Sequence, residues 1–266
     1  MIHNAAAPSH DKSTLPTFYF YMPSGEQVSY CAHAAMGAAF ILHHKGNPKN
    51  QEIEFLTVQG GVKNKAFVSG NNVELGIQKN VQERHVSKGA VESLLGQIGL
   101  TMDDVDQCSE GVSGSGSVSG PSWPLLNSSV TRFKTLIPIQ TLDLLHGASN
   151  PKDSDEFRDL CDSIDSTGVY LYTRVSHSDE SNEYECRQFP RASGYPEDPA
   201  TGIAASALAC SLQNRGKGNA EGRFVMNQGT AMNKHSRCIV RIEDDMVFCS
   251  GTIEIDCEKD MFLDEV

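Results

Sequence analysis

Two short segments of the 266-residue chain carry side chains that can hold or transfer a proton. Cys31 and His33 stand two residues apart at the start of an alanine-rich stretch, and Asp198 opens the stretch Asp-Pro-Ala-Thr-Gly, which ends at Gly202. Asp198 followed by Pro199 predicts a helix that begins there, because aspartate caps helices and proline fits the first helical position. Both segments therefore predict helix N-termini, whose free N–H groups favour an anion such as a carboxylate.

The helices that start at these segments are unusually poor in large side chains. The first is predicted from Cys31 to about Lys45, and the second from Asp198 to about residue 214. Residues 200–205 of the second are alanine, threonine, glycine and alanine, apart from Ile203. Small side chains let neighbouring strands approach a helix closely, so we expect each helix to lie inside a sheet.

The order of motifs repeats between the two halves of the chain. A strand ends in an apolar residue and a proline at Met22-Pro23 and again at Phe189-Pro190, and a turn with glycine then leads to a small-residue helix. A later strand ends in Gln-Gly, at Gln59-Gly60 and at Gln228-Gly229. The shared order predicts a duplicated strand–helix–strand unit.

This duplication predicts that each half wraps an antiparallel sheet around its own apolar helix. We place the halves at residues 1–124 and 125–266, with a disordered start over 1–16 and a flexible Gly/Ser loop over 106–124. Another helix is predicted over residues 88–98. Halves that face each other would bring both helix N-termini to one cleft, which is where small ligands usually bind.

Composition excludes several classes of partner. The net charge of −12 argues against nucleic acid and anionic membranes, since both need a basic surface. The eight cysteines are scattered without CxxC spacing and no signal peptide precedes them, which predicts free thiols in a reducing compartment. The longest apolar run, residues 34–42, is too short to cross a bilayer. We expect a cytoplasmic protein, and the sequence shows no metal-ligand spacing.

Three segments carry a resemblance to a known family. PSGEQVSYCAHAAMGAA, YPEDPATGIAAS and NQGTAMNKHS resemble segments of the PhzF-like isomerases of phenazine biosynthesis, which are relatives of diaminopimelate epimerase. The resemblance runs from about Thr17 to Gly251. It implies a diaminopimelate epimerase-like α+β fold of two pseudo-symmetric halves, each a barrel-like, mostly antiparallel sheet wrapped around a central helix. It also implies a homodimer and general acid/base catalysis without metal or cofactor, in which a proton moves on a small cyclic carboxylic acid.

The resemblance also implies roles for individual residues. Ala32 and His33 stand at the Gly-His site of the family, and Asp198 stands at the aspartate of its second half. We therefore expect His33 and Asp198 to be catalytic. The residues expected to contact the carboxylic acid are Cys31, Ala32, Thr201 and Gly202.

Three departures from the family pattern leave alternatives open. The proton-shuttling glutamate of the family precedes the first strand, whereas the first glutamate here is Glu26, which matches the turn glutamate of the family. Ile203 replaces a serine of the pocket, and Asn233-Lys234 replaces the usual Gly-Arg. The chain is thus predicted to be an impaired isomerase, a non-catalytic binding or interaction protein on the same scaffold, or an incomplete chain in which a segment upstream of Met1 supplies the glutamate.

Overall fold

The computed structural model describes residues 15–21, 25, 27–46, 51–57, 63–106, 125–175, 182–217 and 221–255. The predicted disordered start and the predicted flexible Gly/Ser loop lie almost wholly outside these residues. Two strand ends of the predicted repeat in the first half, Met22-Pro23 and Gln59-Gly60, also lie outside them. The strands described are β1 Thr17–Phe18, β2 Phe20–Tyr21, β3 Gln27–Val28, β4 Glu52–Thr57, β5 Lys63–Ser69, β6 Asn72–Gln78, β7 Gln82–His85, β8 Leu126–Ser129, β9 Lys134–Pro138, β10 Gly168–Arg174, β11 Glu183–Pro190, β12 Arg223–Gln228, β13 Ser236–Glu243 and β14 Met246–Thr252. The α-helices are α1 Ala32–Lys45, α2 Lys88–Gln97, α3 Leu142–Gly147, α4 Ser154–Ser163 and α5 Gly202–Asn214.

Twelve of these strands form one continuous sheet. Its order is β1-β4-β5-β6-β14-β13-β12-β11-β10-β9-β8-β7, and β2 pairs separately with β3. Neighbouring strands are antiparallel except in the pairs β1–β4, β9–β10 and β11–β12, which are parallel. The last strand, β14, pairs with β6 over the length of both strands, so that hydrogen bonds join the sheets of the two halves.

The sheet curls around the two small-residue helices. α5 packs against β13 and β14 and also against β8 and β9, which lie far from them in the strand order. α1 packs against β4, β5 and β6 in the other half. Residues 203–212 of α5 are all buried, as expected of a helix that is apolar on every side. The predicted α+β arrangement, with a sheet wrapped around a helix in each half, is confirmed.

The second half has a further layer on the outside of its sheet. Along β10, Tyr170 and Tyr172 lie in the core that contains α1 and α5, whereas Val169 and Leu171 lie in a second core. This second core contains residues of α2, α3 and α4. Both faces of β10 are therefore covered, which explains why the strand reads as an almost unbroken apolar run. In the described part of the chain, no helix has both the length and the apolar composition needed to cross a membrane.

Residues 82–106, which the predicted division at residue 124 places in the first half, contact elements that follow that division. β7 pairs with β8, and α2 packs against α4. The four residues of β7 are Gln-Glu-Arg-His and all are exposed, so the sequence shows no alternation of apolar side chains there. A strand without that alternation can be recognised only from its partner.

The start of α5 also differs from the prediction. The helix begins at Gly202 with Thr201 as its N-cap, so Asp198 is not the cap and Pro199 is not the first helical residue. Asp198 forms an isolated β-bridge with Gln188 instead. Its carboxylate accepts hydrogen bonds from the Thr201 hydroxyl at 2.7 Å and the Ala200 N–H at 3.3 Å, and so forms a turn of its own before the helix.

Candidate active site

The N-termini of α1 and α5 meet at one point of the fold. A Cβ atom added to Gly202 would lie 3.2 Å from the Cβ of Ala32 and 2.9 Å from the Sγ of Cys249. Only a glycine therefore fits between the first turn of α1 and strand β14. This close approach is the structural reason for a glycine at the first position of α5.

Gly202→Ala provides a direct test of this contact. We expect the free energy of unfolding to fall by about 1–3 kcal/mol, because the added methyl group overpacks the contact with Ala32 and Cys249. Gly37→Ala, in the middle of α1, is the matched control, since no atom of the described ranges lies within 4 Å of a Cβ there. It should raise the free energy of unfolding by about 0.5–1 kcal/mol. Urea denaturation that gives both substitutions the same sign would contradict the packing argument.

All six predicted site residues lie around one cavity beside this contact. The cavity has a volume of about 70 Å³, and its lining includes Cys31, Ala32, His33, Asp198, Thr201 and Gly202. It adjoins a wider groove of about 760 Å³, because His33, Tyr195 and Asp198 line both spaces. The structure thus brings together residues that are more than 160 positions apart in the sequence.

Cys31 and His33 form a pair at the start of α1. The Cys31 Sγ lies 3.4 Å from Nε2 and 3.6 Å from Nδ1 of His33. Burial on its own would raise the pKa of the Cys31 thiol, but the hydrogen bond and charge of His33 outweigh it and lower the pKa. The same hydrogen bond, helped by Asp198, raises the pKa of His33. Both shifts favour a thiolate next to an imidazolium.

Alkylation by iodoacetamide measures this pairing, since only the thiolate reacts. We expect Cys31 to be labelled with a pH midpoint below the ordinary thiol value of about 8.5. Burial raises the pKa of Cys161 and Cys210 to about 12, so these thiols should react slowly at neutral pH. In His33→Gln the midpoint of Cys31 should move upward. Site-resolved mass spectrometry checks this, and a midpoint that His33→Gln leaves unchanged would argue against the pair.

The main chain around Asp198 is held on two sides. Its N–H donates to the carbonyl oxygen of Gln188 at 2.9 Å, and its own carbonyl oxygen accepts a hydrogen bond from Nε2 of Gln228 at 2.6 Å. Gln228 also bonds the Thr201 hydroxyl at 3.2 Å. The glutamine of the predicted Gln-Gly motif therefore fixes the segment that carries the catalytic candidate.

A buried ion pair holds the same segment from the groove side. Arg187 donates from Nε and Nη2 to the two carboxylate oxygens of Glu197, both at 2.8 Å, and the two side chains are 5% and 7% exposed. Nη1 of Arg187 donates to carbonyl oxygens at the end of α3, those of Leu145, His146 and Ala148. This two-point geometry is the strong form of an arginine–carboxylate contact. It fixes Glu197, and hence the neighbouring Asp198, against strand β11.

The cavity contains further polar residues that sequence reasoning missed. Arg132, Lys134, Gln188 and Tyr195 all line it. Lys134 is the first residue of β9, and Arg132 lies in the bend just before that strand. Nothing in the local sequence indicates that these two side chains face a cavity at the two helix N-termini.

Comparisons with known proteins agree with this architecture. The family model PhzC-PhzF, described as phenazine biosynthesis-like protein, matches residues 10–252. A relative from Deinococcus radiodurans, named an uncharacterized isomerase, is 24% identical over 230 residues, which are 84% of this chain and 68% of the relative. Among solved structures, a PhzF-family phenazine biosynthesis protein from Bacillus anthracis matches 89% of this chain and 77% of its own, with a TM-score of 0.69 and 19% identity.

A predicted epimerase from Pseudomonas aeruginosa is also similar in structure. It matches 85% of this chain and 72% of its own, with a TM-score of 0.64 and 21% identity. These likenesses agree with the large sheet and the central helices seen here. The diaminopimelate epimerase-like fold expected from the sequence is confirmed.

Proposed function

Because the chain belongs to the PhzC-PhzF family of phenazine biosynthesis-like proteins, we propose that it is an isomerase that moves a proton on a small carboxylic acid by general acid/base catalysis. One observation carries the proposal: Cys31, His33 and Asp198 line a single cavity at the meeting point of two helix N-termini. The name of the Deinococcus radiodurans relative, an uncharacterized isomerase, agrees with this reaction class.

In the proposed reaction Asp198 is the base and His33 is the acid. Asp198 takes a proton from one carbon of the substrate, the electron pair shifts along the substrate, and the His33 imidazolium gives a proton to another atom. Proton return from Asp198 to His33 restores the site. The Cys31 contact supports these roles, because its hydrogen bond raises the pKa of His33 and so favours the protonated imidazole. No metal or cofactor enters the proposed reaction.

The helix N-termini favour an acid as substrate. Neither Cys31 nor Thr201, the two N-cap residues, forms a side-chain hydrogen bond to the helix that it precedes. The N–H groups in the first turn of each helix are therefore not occupied by an N-cap side chain. They can donate hydrogen bonds to a carboxylate. This explains how an acidic protein can bind an acidic ligand.

Asp198 is assigned as the base because of its surroundings. Among the described residues that line the cavity, Asp198 is the acidic one. Glu197 lines the adjoining groove, but both of its carboxylate oxygens bond Arg187. Glu197 is thus engaged by Arg187 through both oxygens, and it is not among the residues that line the cavity. Asp198 accordingly takes the role for which the family resemblance implies a glutamate.

Deuterium uptake tests the proposal across a range of candidate substrates. The protein is incubated in D₂O with a panel of small cyclic and open-chain carboxylic acids, and loss of C–H signals is followed by proton NMR. We expect protein-dependent exchange at a carbon near the carboxylate of at least one acid. Acids that raise the thermal midpoint but show no exchange would contradict the isomerase and support a non-catalytic binding protein.

A further inference from the structure

The cavity is lined by polar side chains that the proposed proton transfer does not use. Three of them are Lys134, the first residue of β9, Arg132, just before that strand, and Gln188, on β11. We infer that these three residues form an anion subsite for the carboxylate of the substrate, and that Lys134 takes up a proton when the carboxylate binds. The identity of the anion as a substrate carboxylate rests on the proposed function. The subsite itself rests on the burial and contacts of the three residues.

Gln188 is the strongest indication of a missing ligand. Its side chain is fully buried at 0% exposure, and neither Oε1 nor Nε2 has a hydrogen-bond partner among the residues that the structure describes. Buried amides in folded proteins are nearly always bonded, and a ligand in the cavity would provide the missing partner. Space for this side chain depends on a glycine, because a Cβ at Gly168 would lie 2.6 Å from Nε2.

Two basic side chains line the same cavity as this amide. Nε of Arg132 is buried and has no hydrogen-bond partner in the described part of the chain. Lys134 is 4% exposed, and its Nζ donates to the carbonyl oxygen of Thr167 at 3.0 Å. An ammonium group has three donors, so this bond leaves it able to bond an anion as well. Because the cavity is only about 70 Å³, a carboxylate in it would be close to all three side chains.

The charges around Lys134 explain why proton uptake accompanies binding. Burial lowers the pKa of Lys134 to about 7, and the positive charge of Arg132 contributes to this. Asp198 and Cys161 act in the opposite direction, and the Thr167 carbonyl accepts a hydrogen bond from the ammonium. A bound carboxylate adds a negative charge and raises this pKa. Above pH 7 the empty site is mostly neutral at Lys134, so the complex must gain a proton and affinity falls as the pH rises.

Benzoate and its neutral analogue benzamide are suitable probes for this subsite. Dissociation constants are measured by ligand-observed NMR at pH 6.5 and pH 8.5 for the wild type, Lys134→Met and Lys134→Arg. We expect benzoate to bind the wild type about 25-fold more weakly at pH 8.5, because with a pKa of about 7 the protonated fraction of Lys134 in the empty site falls from about three quarters at pH 6.5 to about 3%. Benzamide should show no such dependence. Lys134→Arg should bind benzoate nearly equally at both pH values, and Lys134→Met should bind it weakly at both.

His33 also faces the cavity and titrates, so it needs its own control. A pH dependence that survives in Lys134→Met and disappears in His33→Gln would assign the proton to His33 and overturn the inference. Equal benzoate affinity in the wild type and in both Lys134→Met and Gln188→Leu would overturn the subsite. Equal affinity at both pH values in the wild type would overturn the proton uptake.

The binding experiment separates this inference from the proposed function. Lys134-dependent benzoate binding in a protein that exchanges no deuterium into any acid would keep the subsite and reject the isomerase. Deuterium exchange in a protein whose benzoate affinity is unchanged by Lys134→Met, by Gln188→Leu and by pH would support the isomerase and reject the subsite.

Discussion

Asp198→Asn should lower the rate of deuterium incorporation by about 10²- to 10⁴-fold, which is the usual loss when a positioned general base is removed. Asparagine keeps the size of the side chain and can still accept the hydrogen bond from the Thr201 hydroxyl, but its amide does not take a proton at neutral pH. The turn before α5 should therefore survive while the chemistry is lost. The rate is measured on the acid that shows exchange with the wild type.

The matched control for this substitution is Asp155→Asn, on the exposed face of α4. The Asp155 side chain is 81% exposed and its ion pair with Arg158 lies on the surface. We expect its exchange rate to equal that of the wild type. An Asp198→Asn protein that folds, binds benzoate and exchanges deuterium within threefold of the wild-type rate would exclude Asp198 as the base.

Arg187→Met should give the largest loss of stability of the substitutions considered, about 3–5 kcal/mol in the free energy of unfolding. Methionine approximates the length of the side chain but leaves the Glu197 carboxylate buried without its partner. It also removes the donor to three carbonyl oxygens at the end of α3. Urea denaturation at pH 7 measures the loss.

Arg158→Met is the control for the loss of an arginine from an ion pair. The side chains of Arg158 and Asp155 are 41% and 81% exposed, so this pair should contribute less than about 1 kcal/mol. A loss of under 1 kcal/mol in Arg187→Met would mean that Glu197 finds another partner. Because Glu197 adjoins Asp198, we also expect Arg187→Met to slow deuterium exchange under conditions in which the protein remains folded.

Local patterns in the sequence were sufficient to predict the bounds of several helices. The helices predicted over 31–45 and 88–98 are confirmed as α1 and α2, to within one residue at each end. The helix predicted from residue 198 ends as expected at Asn214 but begins four residues late, at Gly202. The Asp198 side chain bonds Ala200 and Thr201, and its main chain bonds Gln188 on a distant strand. A capping motif can form its bonds in a turn as well as in a helix, and only the neighbouring strand decides between them.

The sequence by itself determined the fold class, the two small-residue helices and the segments at Cys31–His33 and Asp198–Gly202, because periodicity, side-chain size and helix-start motifs are properties of neighbouring residues. The tertiary structure alone decided that β14 pairs with β6, that β7 pairs with β8 and α2 packs against α4, and that Arg132, Lys134 and Gln188 face the same cavity as Asp198. The physical reason is that strand pairing and burial arise between residues far apart in the chain. The local sequence around a basic residue does not show whether its side chain contacts water or a buried amide.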